Sequence, residues 1–92
     1  MRLKPDQIRA QLLSTTEWHL RGKKISRLFI FEDFIHGIEF INGVTKLAEA
    51  MNHHPDIDIR YNRVRFTLTT HEGGLTLKDF KLARKINQLK SG

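Results

Sequence analysis

No cysteine occurs in this chain of 92 residues. That excludes a disulfide framework and a cysteine nucleophile, and it fits a reducing compartment. Nor is there an apolar run of the ~20 residues that a membrane span needs. The opening MRLKPDQIRA has no apolar stretch of signal-peptide length, so a soluble, cytoplasmic protein away from membranes is expected. No repeat, low-complexity tract or linker interrupts the chain, and one domain over residues 1–92 is expected. A nucleotide-phosphate loop, a dinucleotide fingerprint and a Ser or Lys nucleophile motif are all missing.

Acidic residues are in the minority. Ten of them face 16 Lys and Arg, giving a net charge of +6. Such a balance raises nucleic acid as a partner. The basic residues, however, are scattered from Arg2 to Lys90 with acids among them. No block of five like charges forms, so solubility charge is the expected use and a nucleic-acid partner is not.

Periodicity divides the chain into short elements. Pro5 and Asp6 suit a first helical turn, and Ile8, Leu12 and Leu13 form a stripe, predicting a helix over 5–13. Trp18-His19-Leu20 predicts a brief strand and Arg21–Lys24 a hairpin turn. ISRLFIFE predicts a strand over 24–31 with its apolar residues shared between two faces. From Asp33 to Met51, Phe34, Ile38, Ile41, Val44, Ala48 and Met51 recur at helical spacing, with Glu32 or Asp33 as the cap. Ile35, Phe40 and Leu47 widen that apolar surface. A domain this small buries only roughly 60–65% of its unfolded surface, so a homodimer or homotetramer is expected.

Pro55 cannot continue the long helix. Ile57, Ile59 and Tyr61 then alternate with Asp56, Asp58 and Arg60, predicting a half-buried strand. A turn around Asn62 leads into a second alternating strand, Val64, Phe66 and Leu68 against Arg65, Thr67 and Thr69. His71-Glu72-Gly73-Gly74 ends it. Thr76 through Asp79 reads as an acidic capping box before a helix over 77–90 with Phe80, Ala83 and Ile86 inward. The order α-β-β-α-β-β-α implies an α+β fold: a four-stranded antiparallel sheet with helices on one face.

The chain has five histidines. His19 and His36 read as surface or packing residues. His53 and His54 fall where the long helix stops, a favourable place for a cation. If the following hairpin turns near Asn62, position 54 lies close to opposite 70, and His53, His54 and His71 converge at one end of the sheet. Clustered imidazoles suit a metal or proton transfer. The His-His pair, with sixteen residues between it and a third His, lacks the spacing of a helical metal pair, so no metal is expected. Proton transfer suits a dehydration. An acid protonates the departing hydroxyl, a base takes the neighbouring proton, and each contributes roughly 10²–10⁴-fold.

Glu49, His53, His54, Pro55, Tyr61, His71 and Asp79, at these spacings, resemble the signature of the pterin-4a-carbinolamine dehydratases. So do Trp18 before a basic turn, FIFEDF at 29–34 and the Thr70-His71-Glu72 run. The resemblance covers about residues 5–90 and implies dehydration of 4a-hydroxytetrahydropterin to quinonoid dihydropterin in tetrahydropterin recycling, with no cofactor. It implies His53, His54 and His71 as the catalytic group. Pro55, Thr70 and Glu72 are implied as the pterin pocket; Glu49 has two readings, orienting a histidine or a solvated helix residue, and so has Trp18, near the substrate or, the preferred one, packed in the core. Asp79 has two compatible readings, helix cap and site residue. Vertebrate relatives also partner a homeodomain transcription factor through the long helix, so a non-catalytic dimerisation role is the alternative.

Overall fold

The computed structural model describes residues 1–70 and 73–92. Seven elements follow in the expected order: α1 (Pro5–Leu13), β1 (His19–Arg21), β2 (Lys24–Ile30), α2 (Phe34–Met51), β3 (Asp56–Arg60), β4 (Arg63–Leu68) and α3 (Leu77–Ser91). All strand pairs are antiparallel, and the sheet order is β1-β2-β4-β3.

Each element starts and stops for a local reason. In α1, Pro5 takes the position whose amide needs no partner, and Gln7 Oε1 accepts the Lys4 N–H at 2.7 Å. The β1–β2 hairpin closes over Gly22 at φ +59, a backbone angle that glycine adopts without strain. Asp33 caps α2 by accepting the His36 N–H at 2.9 Å. Asn52 ends the same helix in the left-handed region, φ 51 and ψ 44, its N–H directed at the carbonyls of Ala48 and Glu49.

The core lies between the sheet and the helices. Val64, Phe66 and Leu68 of β4 are fully buried and meet Ile25 and Phe29 of β2. α2 contributes Val44 and Ala48, and α3 contributes Phe80, Leu82, Ala83 and Ile86. Phe29, Phe40 and Phe66 pack in tilted and edge-to-face pairs with centroids 5.0–5.9 Å apart. A Cβ on Gly37 would come within 3.3 Å of Val64, so this glycine sets how closely α2 approaches β4.

Three sequence expectations need correction. Trp18 precedes β1 rather than opening it. The chain passes through Glu17 at φ 70, and the indole is buried with its Nε1–H donated to Asn87 Oδ1 at 2.8 Å. Tyr61, which alternation puts on the strand and the Tyr61-Asn62-Arg63 sequence puts in the turn, belongs to the turn alone. It sits there at φ 51 and is largely exposed, and Ile57 on the outer strand β3 is partly so. The hairpin turns on two residues, Tyr61 and Asn62, between Arg60 and its partner Arg63. Carried outward, that register sets position 54 against 69, one residue from the expected pairing.

The core face of β2 also holds a charge. Arg27 lies opposite Phe66 and donates to Asn87 Oδ1 at 2.7 Å, with its guanidinium 4.2 Å from the Phe29 ring centroid. Burial lowers the Arg27 pKa from its usual value, and Glu17 opposes that shift.

Candidate active site

The left-handed turn at Asn52 carries the chain off the end of α2, and His53 N–H still donates to Ala48 O at 3.0 Å. His53 and His54 therefore sit at a fixed helix terminus, not on a free loop. Pro55 then holds the extended path into β3.

His53 Nε2 lies 2.6 Å from Asp79 Oδ1. Asp79 is completely buried in the first turn of α3. Its other oxygen accepts the Thr76 N–H at 2.9 Å and the Thr70 hydroxyl at 2.7 Å. The single Thr70 proton is thereby used, so the Thr76 hydroxyl donates to Thr70 across 2.9 Å. With both carboxylate oxygens accepting, His53 donates through Nε2, which leaves Nδ1 as the ring nitrogen not taken up by Asp79. One side chain thus caps a helix and orients an imidazole.

His54 is held differently. Its Nε2 lies 2.6 Å from Glu49 Oε2, one helical turn back on α2, and both side chains are more than half exposed.

An open cavity of about 830 Å³ is lined by His53, His54, Asn52, Thr69, Thr70, Gly73, Lys24 and Lys78. Of the residues singled out in the sequence, His53, His54 and Thr70 line it, and Asp79 stands behind His53. Glu49 and Pro55 flank the histidine pair without lining the cavity. Trp18 is not a lining residue; it packs in the core. His71 and Glu72 lie outside the described residues, while the residues on either side, Thr70 and Gly73, line the cavity. Thr70 N–H donates to Gly74 O at 2.9 Å.

Sequence reasoning missed Lys24, Asn52, Thr69, Gly73 and Lys78 as cavity residues. Gly73 and Asn52 left one signal each, as residues suited to the positive φ they adopt. The lysines left none, because in the sequence they are indistinguishable from solubility charge. Among the described residues, no group of three His, Cys, Asp or Glu is placed to hold a metal ion, and no helix is long and apolar enough to cross a membrane.

Comparison with known proteins identifies the family. The family profile described as pterin 4 alpha carbinolamine dehydratase matches residues 1–89. A protein of Picosynechococcus sp., provisionally named pterin-4-alpha-carbinolamine dehydratase, is 51% identical over 96% of this chain and 97% of its own length. One of Chloroflexus aurantiacus with the same provisional name is 51% identical over 96% of each chain. A crystal structure from Brucella melitensis, described as a transcriptional coactivator/pterin dehydratase, superposes with a TM-score of 0.92 at 36% identity, covering 97% of this chain and 98% of that one. By sequence over nearly its full length and by fold, this chain belongs to the pterin 4 alpha carbinolamine dehydratase family.

Proposed function

We propose that this protein dehydrates a 4a-hydroxytetrahydropterin, the pterin-4a-carbinolamine, to the quinonoid dihydropterin by histidine acid–base catalysis. The observation that carries the proposal is His53, fixed at 2.6 Å by a buried carboxylate at the wall of an 830 Å³ cavity. The names of the relatives supply the substrate class.

The reaction needs one proton added and one removed. The C4a–O bond breaks as its hydroxyl takes a proton and leaves as water. The N5 proton goes to a base, and its electron pair forms the C4a=N5 double bond. His53, held through Nε2 by Asp79, is the base that takes the N5 proton, at Nδ1. His54 is the acid, with Glu49 beside it as counter-charge when the ring is cationic. His71 is the third proton carrier implied by the family pattern, which also implies Glu72 as a pterin contact; Thr70 lines the pocket for the ring, and Pro55 fixes the histidine pair from outside the lining. No step requires a metal or organic cofactor. The reading places the protein in the cytoplasm, in tetrahydropterin recycling.

Self-association belongs to the same reading. Phe34 and Ile35 of α2 are exposed and Ile38 and Ile41 are half-buried, apolar area that a second copy covers in a homodimer or homotetramer. The direct test is dehydration of freshly generated carbinolamine by the purified protein. Acceleration over the spontaneous reaction supports the proposal, and a rate equal to buffer alone refutes it.

A further inference from the structure

We infer that the cavity reads an anionic substituent on the pterin, and that Lys24 and Lys78 read it; this rests on the pterin specificity proposed above. Two lysines line the cavity, and among the described residues no Asp or Glu does. The neighbouring acids are already engaged, Asp79 with His53 and Glu49 with His54. Neither lysine forms an ion pair with any described residue.

Both cations also stand where local energetics disfavour them. Lys78 occupies the first turn of α3, the positive end of the helix dipole. Lys24 is directly across the β1–β2 pair from Arg21, a like-charge cross-strand pair. Helix and hairpin stability therefore do not explain them, but a shared anion does. Space permits one: about 830 Å³ is near the top of the roughly 300–1,000 Å³ range of small-molecule sites, leaving room beyond a two-ring heterocycle. A phosphate monoester or a carboxylate on the pterin side chain supplies the charge, and an ammonium suits either as a compact point charge.

The test is equilibrium binding of three dihydropterins that differ only at the side-chain end: neutral, carboxylate-bearing and phosphate-bearing. The probes are offered to the unaltered protein and to the Lys24→Gln/Lys78→Gln double variant. An anionic ligand should bind about tenfold more tightly than the neutral one, the preference should shrink at higher salt, and the double variant should lose most of it. Whichever anion binds more tightly identifies the substituent. Equal binding of all three ligands, or a preference unchanged in the double variant, overturns the inference. Turnover of the neutral carbinolamine, measured in parallel, separates the two proposals. Anion preference without turnover sinks the dehydratase reading alone, and turnover without preference sinks the lysine assignment alone.

Discussion

Asp79 and His53 are 26 residues apart in sequence and 2.6 Å apart in the fold, with the carboxylate buried and the imidazole at the cavity wall. The same carboxylate accepts from Thr76 N–H and the Thr70 hydroxyl. Helix start, strand end and the His53 imidazole are tied together through one buried group. A change there should disturb stability and turnover together.

Asp79→Asn keeps the shape but leaves the three donors short of acceptors. Leaving buried donors unsatisfied costs about 1–3 kcal/mol, which urea unfolding measures. Loss of an orienting partner typically lowers activity about 10–100-fold, so kcat should fall while KM moves little. Thr70→Val, which removes one donor and leaves His53 on Asp79, should lose about 1 kcal/mol and less turnover. Unchanged kcat in Asp79→Asn would contradict a positioning role.

Asn87 Oδ1 accepts from both Trp18 Nε1 at 2.8 Å and Arg27 at 2.7 Å. Asn87→Ala strands two partly buried donors at once, one of them charged, and should destabilise by roughly 2–3 kcal/mol. Trp18→Phe keeps most of the packing and the Arg27 contact, so it should lose less. The order of the two midpoints in denaturant checks this.

At Asn52, a β-branched residue in the left-handed region should be strained by about 1–2 kcal/mol. Asn52→Val should therefore lower stability, and Asn52→Gly should not. Because His53 hangs from this turn, Asn52→Val should also reduce turnover. Equal melting temperatures for the two variants would show that the turn is not the constraint.

The Asp33–His36 pair at the start of α2 makes a pH-dependent cap. The His36 backbone N–H first, and then the His36 ring, lower the Asp33 carboxylate pKa, while the hydrogen bond to Asp33 raises the His36 pKa. A raised histidine contributes stability below its unfolded value near 6.5 that is lost as pH climbs through the folded value. A lowered carboxylate contributes above its unfolded value near 3.8 and is lost as pH falls through the folded one. The cap is therefore strongest between those limits. NMR titration should give a His36 midpoint above 6.5, and Asp33→Asn should bring it down; a midpoint indifferent to Asp33→Asn would be inconsistent with the pair.

Much of the fold was legible because its signals are local. Pro5 and the Ile8–Leu12 stripe predict α1 residue for residue, and the spacing of Phe34 through Met51 predicts α2, with the structure choosing Asp33 over Glu32 as its cap. What the sequence hides is decided across distance. Periodicity makes Tyr61 a strand residue, but the edge position of β3 and a two-residue turn expose it. Arg27 looks like a surface charge, yet Asn87 on α3 gives it a place over the core. In the candidate site, the His53–His54 pair stands out by composition alone. The capping box explains why Asp79 begins α3, but only the approach of α3 to the end of α2 brings it to His53. Lys24 and Lys78 have no local signature, since their lining of one cavity depends on the start of β2 and the start of α3 facing the same space.

The central claim is that His53, held by Asp79, moves the proton that lets water leave the pterin. Single-turnover dehydration of pterin-4a-carbinolamine by the unaltered protein, His53→Ala and Asp79→Asn tests it most directly. The account predicts acceleration over buffer for the unaltered protein, a loss of roughly 10²–10⁴-fold in His53→Ala, and a smaller loss in Asp79→Asn with the fold intact. A folded His53→Ala variant that dehydrates the carbinolamine at the unaltered rate contradicts it.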